Sequence, residues 1–149
     1  MCQQLRDAGP PIAAQLLIYP ATDFLSVRPS HAENGRGYFL TGDDIEWFSG
    51  HYLADPALGT DPRVSPLLAE DLSRLPPAVV ATAQFDPLRD DGAAYAEALA
   101  AAGVRVIHRC FEGLVHGFLG FGPLSKTATA AISQLCTDLR TMLAPDTDS

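Results

Sequence analysis

Three short runs along the chain are apolar with little polar interruption: Gln15 to Tyr19 (QLLIY), Ala78 to Ala83 (AVVATA) and Val104 to Phe111 (VRVIHRCF). Runs of this length that hold β-branched residues and follow proline or glycine read as strands covered by helices on both faces. Between the second and third lies Asp90 to Ala102, rich in alanine, with acids in its first turn and Gly103 after its last residue. Those are helix start and stop signals, so residues 78–111 read as a strand-helix-strand unit with parallel strands. A final helix is expected from Ser125 to about Leu143, with Ala128, Ile132, Leu135, Leu139 and Leu143 on its apolar stripe. Residues 1 to 8 read as the end of a helix closed by Gly9 and the pair Pro10-Pro11, and the polar tail from Ala144 to Ser149 is expected to fray.

The stretch between the first two strands has a different texture. From about residue 22 to 75 it is rich in Pro, Gly, Asp and aromatic residues, and only Thr41 to Ala54 has helical spacing, with Ile45, Phe48 and Tyr52 on one face and Trp47 and Leu53 beside it. A connection this long inside an α/β domain reads as a lid-like insertion. The 149 residues therefore read as one partial α/β domain carrying that insertion.

Composition narrows the function. With 47% apolar and 19% charged residues the chain can bury a core, and a net charge of -8 with no basic patch argues against nucleic acid. No apolar run approaches the roughly 18 residues of a membrane span and no secretory leader is visible, so a cytoplasmic protein without a membrane span is expected. Cys2, Cys110 and Cys136 are widely spaced without a C-x-x-C, which favours reduced structural thiols. Neither G-x-G-x-x-G after a strand nor G-x-x-x-x-G-K-[ST] occurs, which sets nucleotide binding aside. His31 and His51 lie near Asp43, Asp44 and Asp55, but without the tight spacing of a metal site they read as solvated, and no metal or cofactor is expected. Asp90 and Asp91 read as caps of the helix at Gly92, and Arg89 as the partner of a nearby acid; His108 is given no role.

Candidate chemistry sits at the carboxyl ends of the strands, where ligands bind in parallel α/β sheets. Asp86 follows the second strand by three residues and His116 the third by five, so both should stand at the same edge of the sheet. A carboxylate that orients an imidazole is half of a nucleophilic triad, and Gly113 and Gly117 would let the loop bend His116 into a cleft.

The wording around these residues is specific. The stretch from Ser65 to Phe118, with D-P-L-R-D at 86–90 and H-G-F at 116–118, resembles the C-terminal part of the hormone-sensitive-lipase-like branch of the α/β-hydrolase superfamily, the bacterial carboxylesterases. The likeness extends to LLIYP at 16–20 and to D-P-R-V-S-P-L at 61–67. The resemblance implies an α/β-hydrolase fold and an ester hydrolase without cofactor, in which Asp86 and His116 are the orienting acid and the general base of a Ser-His-Asp triad. It implies a small-molecule ester as substrate. For the aromatic group in the insertion, including Phe39, Trp47 and Phe48, two readings stay open: a small core, or the wall that receives the acyl chain. Phe118 and Leu119 are candidate pocket lining.

The departure from the family is equally specific. No serine has glycine two positions away on both sides, so G-x-S-x-G is absent, and so is the H-G-G-G oxyanion segment. The chain is therefore expected to be roughly the second half of an esterase and inactive alone. The alternative is a non-catalytic fragment, or a subunit that complements a separate N-terminal half. The strand at 15–19 would lack its neighbour, leaving Leu16, Ile18 and Val80 short of packing and inviting a homodimer or the missing half. A peptidase of the same fold is the nearest rival activity.

Overall fold

In a computed structural model, residues 2–7 and 9–144 are described. The tail beyond Ala144 lies outside them, as do Met1 and Ala8 of the N-terminal segment. The chain forms a short helix α1 (Cys2–Leu5), strand β1 (Gln15–Ile18), helices α2 (Pro29–Asn34) and α3 (Gly42–Tyr52), strand β2 (Ala78–Phe85), helix α4 (Arg89–Ala101), strand β3 (Val106–Val115) and helix α5 (Lys126–Leu143). Short 3₁₀ turns cover Pro56–Thr60, Pro66–Leu68 and Phe118–Leu124. The sheet has the order β1-β2-β3, all parallel, with Gln15 opposite Ala78 and Ala78 opposite Val106.

Only β2 fits the expectation of burial on both faces, because only it has a neighbour on each side. Val79, Ala81 and Ala83 face a core closed by Ala128, Ala131, Leu135 and Met142 of α5. Ala78 and Val80 face Tyr95, Ala96 and Leu99 of α4. Val80 is thus fully buried rather than starved of partners; Leu16 is 39% exposed and Ile18 packs partly on the α5 core. On β3, His108, Arg109 and Cys110 are exposed, the polar look of an edge strand that the continuous-run reading overlooked.

The helices differ from expectation in phase more than in extent. Ser125 caps α5, accepting from the Ala128 N–H. Its buried stripe is Ala128, Ala131, Leu135, Asp138 and Met142, rotated from the expected one, and Leu143 is 52% exposed. The stripe admits an aspartate because Arg109 of β3 reaches across to it with two 2.8 Å hydrogen bonds, satisfying the buried carboxylate. In α4, Gly92 permits close approach to β2, since a Cβ there would stand 2.5 Å from Cγ2 of Thr82. Asp90 and Asp91 do not cap α4, whose N-cap Leu88 makes no side-chain bond; they turn to α2 instead.

In the insertion, α3 starts with a reciprocal cap: Thr41 accepts from the Asp44 N–H while the Asp44 carboxylate accepts from the Thr41 N–H. No residue of α3 is buried. Trp47, Phe48 and Tyr52 are each more than half exposed, so the aromatic group forms no closed core in this chain. Cys2, Cys110 and Cys136 are free thiols.

Candidate active site

The two strand ends deliver their residues sooner than the sequence spacing suggested. β2 continues to Phe85, so Asp86 follows it directly, and β3 continues to Val115, so His116 does too. The two strands slip in register between the Ala83 and Phe85 pairings. Gly113 lies within β3 near this slip with φ +70°, its N–H donating to Gln84 Oε1 at 2.9 Å. It therefore shapes the strand and not the loop. Gly117, at φ +77°, makes the turn immediately after the histidine.

This geometry sets Nδ1 of His116 2.9 Å from Oδ2 of Asp86. Asp86 is fully buried, and its Oδ1 accepts from the Leu88 N–H at 2.8 Å. Both carboxylate oxygens are thus engaged, which holds the group in one orientation. With the carboxylate ionised, Nδ1 carries the ring proton and Nε2 keeps its lone pair. Nε2 makes no hydrogen bond among the described residues, and the His116 side chain is about 20% exposed.

One contributor was missed from the sequence: Tyr19, the residue after β1. Its ring centroid lies 4.4 Å from that of His116, and Phe118 meets it edge-on at 5.5 Å. The tyrosine sits at φ +42°, uncommon for a bulky residue, while its N–H donates to Ala81 C=O at 2.7 Å. Burial, and after it the charge of Asp86, pushes its phenol pKa up, so it stays neutral. Its signal was available, because β1 ends at the same sheet edge as β2 and β3.

The proposed pocket residues separate. Phe39 is exposed, meets Phe121 edge-on at 5.3 Å, and overhangs Gly117, whose added Cβ would lie 3.1 Å from its ring. Phe48 lines an open, mainly apolar groove of about 470 Å³ together with Phe24, Ile45, Tyr52, Val64 and Leu88, the last only two residues beyond Asp86. Trp47 does not line this groove; it packs on Phe48 and His51. Leu119 is partly exposed at the turn after His116. Phe118 is fully buried between Tyr19 and Phe111 and cannot line a pocket; it is the core post beneath the histidine.

The other histidines also resolve. His51 is exposed. His31 is not a solvated residue: its Nε2 lies 2.9 Å from Oδ2 of the buried Asp91, whose pKa burial pushes up to about 6. His108, exposed on one side, contacts Thr82 Oγ1 at 3.3 Å on the other, and this partial burial lowers its pKa. Arg89 pairs with Glu33 and Asp90, as expected of it. Among the described residues no group of three or more His, Cys, Asp or Glu side chains converges as a metal site, and no helix is long and apolar enough to cross a membrane.

A parallel sheet with helices on both faces and a carboxylate-imidazole pair beyond two strand ends is the architecture of an α/β hydrolase. The chain belongs to that family: a family profile described as the alpha/beta hydrolase fold matches residues 1–120. Its place is in the hormone-sensitive-lipase-like carboxylesterase branch. It is 45% identical over 150 residues to the carboxylic ester hydrolase LipN of Mycobacterium tuberculosis, covering 97% of this chain and 40% of that protein. The ethyl acetate hydrolase of Pseudomonas putida is 42% identical over 76% of this chain and 36% of its own length. The solved esterase of Pyrobaculum calidifontis superposes with a TM-score of 0.89 at 36% identity, over 97% of this chain and 48% of that one. The chain thus spans less than half the length of each of these relatives.

Proposed function

We propose that the chain carries the acid-base half of a carboxylic ester hydrolase, an inference that rests on the 2.9 Å contact between His116 Nδ1 and Asp86 Oδ2. In the complete site, Nε2 of His116 takes the proton of a serine hydroxyl as the serine oxygen attacks the ester carbonyl, then returns it to the departing alkoxide. Water, deprotonated by the same nitrogen, releases the acid from the acyl-serine. Asp86 fixes the ring tautomer and stabilises the imidazolium. The serine and its oxyanion donors come from a segment that is not among these 149 residues. The open groove beside Phe48, with Phe39 and Leu119 nearer the histidine, suits the apolar side chain of a short or medium ester.

It follows that the 149-residue chain alone does not turn over esters, because no covalent acyl intermediate can form. The check is hydrolysis of a short-chain p-nitrophenyl ester by the purified chain. Turnover that His116→Ala abolishes would overturn this half of the proposal. The positive arm is a chimera in which the chain replaces its counterpart in the mycobacterial ester hydrolase: it should hydrolyse the ester, and both Asp86→Asn and His116→Ala should suppress it. A chimera that folds but is indifferent to both substitutions removes Asp86 and His116 from the mechanism.

A partner reading accompanies this one. Among the described residues β1 pairs only with β2, so its outer backbone edge is open there, flanked by the partly exposed Leu16. An unpaired parallel edge of apolar character favours either the polypeptide carrying the nucleophile or a second copy of the chain.

A further inference from the structure

Helix α2 is only six residues long, yet its polar side chains converge on the D-P-L-R-D turn some sixty residues away. The Ser30 N–H donates to Asp90 Oδ2 at 2.9 Å, its hydroxyl donates to Pro87 C=O at 2.6 Å, and the same oxygen accepts from the Asp90 N–H at 3.2 Å. His31 meets Asp91 at 2.9 Å, and Glu33 accepts from Arg89 Nη2 at 2.8 Å. The Asn34 amide donates to Asp86 C=O at 3.3 Å and to Gln84 C=O at 3.4 Å. Ser30 and Asn34 are buried, at 0% and 4% exposure, so these bonds form away from competing water.

The peptide carbonyls of Asp86 and Pro87 are thus gripped by a helix from the insertion. Asp86 C=O has one further partner, the Arg89 N–H at 3.1 Å within the turn itself. The orientation of that carbonyl fixes the Cα–Cβ direction of Asp86 and hence where its carboxylate meets His116. Proline at 87 provides no N–H to hold the turn, and α4 begins without a side-chain cap. The external grip replaces both.

We propose that α2 is a positioning clamp for the orienting acid, with Asn34 and Ser30 the positioning residues that hold the carbonyls of Asp86 and Pro87. The proposal deepens the reading of Asp86 and His116 as acid and base and rests on it. It gives the insertion a second task besides forming the groove, and accounts for the residues of D-P-L-R-D beyond the acid: Arg89 and Asp90, with the adjoining Asp91, are the handles by which α2 holds the turn.

The experiment is imidazole NMR of the 15N-labelled chain, reading the hydrogen-bonded Nδ1 proton of His116 beside a thermal unfolding curve for each protein. In the wild type the proton is expected as a resolved downfield signal that Asp86→Asn abolishes. Asn34→Leu, similar in volume without the amide donor, and Ser30→Ala should broaden or abolish the signal by exchange while leaving a cooperative unfolding transition. Ser30→Thr, which keeps the hydroxyl, should restore it. If Asn34→Leu does not fold, Ser30→Ala and its threonine rescue give the same reading. Loss of the signal in Asp86→Asn together with an unchanged signal in folded Asn34→Leu or Ser30→Ala would overturn the clamp and leave the pair standing. A wild-type chain in which Asp86→Asn changes nothing would overturn the pair itself.

Discussion

Gly92→Ala sets two known effects against each other. In an exposed helix the change stabilises by about 1 kcal/mol, because alanine loses less backbone freedom on folding. At position 92 the new methyl would lie 2.5 Å from Cγ2 of Thr82 and 3.3 Å from Cδ of Pro20. Thr82 is wholly buried on β2 and β-branched, so it cannot swing away. Overpacking of this kind costs about 1–3 kcal/mol. After the gain of about 1 kcal/mol is subtracted, the clash should win by up to about 2 kcal/mol, or up to roughly 8 °C in Tm for a domain of this size. Thermal and urea unfolding followed by circular dichroism give the number, and a double-mutant cycle gives the cause. Thr82→Ser removes the offending methyl at about 1 kcal/mol of its own, so Gly92→Ala with Thr82→Ser should lose about 1 kcal/mol less than the two singles together. A Gly92→Ala chain more stable than wild type, or a cycle additive within about 0.5 kcal/mol, would show that α4 does not lie this close to β2.

The buried Asp91 holds its proton up to about pH 6 when folded, against an ordinary value of 3.8. Between those values the folded state is the better proton binder, so this group's contribution to stability falls as pH rises through the interval, by at most about 3 kcal/mol. Wild type should therefore lose stability relative to Asp91→Asn from pH 4 to pH 7 in paired urea titrations; a flat or rising difference counts against burial as the cause. At the open edge, Leu16→Lys places a charge beside unpaired backbone. Light scattering should show concentration-dependent association of the wild type that the lysine variant reduces, and a wild type monomeric at tens of micromolar would refute edge-driven association.

The parallel sheet was legible in the sequence because the apolar runs at 15–19 and 78–83 and the helix between Asp90 and Ala102 obey local rules that tertiary packing reinforces. The placement of Asp86 and His116 was legible for the same reason: each follows a strand, and parallel strands end together. What local pattern could not supply was long-range polar pairing. Asp138 entered the buried stripe of α5 because Arg109, 29 residues earlier, meets it, which turned the helix away from the all-apolar stripe. Asp91 and His31 read separately as a cap and a surface residue, and each is explained only by the other, 60 positions distant. Phe118 read as pocket lining from its nearness to His116, but a side chain beside a catalytic candidate is as readily its support as its neighbour in a cleft. The exposure of Trp47, Phe48 and Tyr52 was illegible because their helical spacing is the same whether or not anything packs on that face.

Asp86 and His116 are each held by other residues of this chain. Asp86 is held by the Leu88 N–H and, through its carbonyl, by Asn34; His116 is backed by Tyr19, which in turn leans on the buried Phe118. These residues stand at the ends of β1, β2 and β3 and on α2, and β2, the central strand that ties them together, is buried on both faces. The orienting geometry is therefore paid in advance by the core, before any nucleophile is near. Under the proposed function, completing the site requires a serine oxygen within hydrogen-bond reach of Nε2, about 2.6–3.2 Å, together with its oxyanion donors. The geometry of Asp86 and His116 is set by packing within this chain, and under the proposed function the nucleophile would be brought in along the open edge of β1. A substitution at the clamp or beneath the histidine should thus act on the pair whether or not the serine is present, and one at the β1 edge should act only on the assembled site.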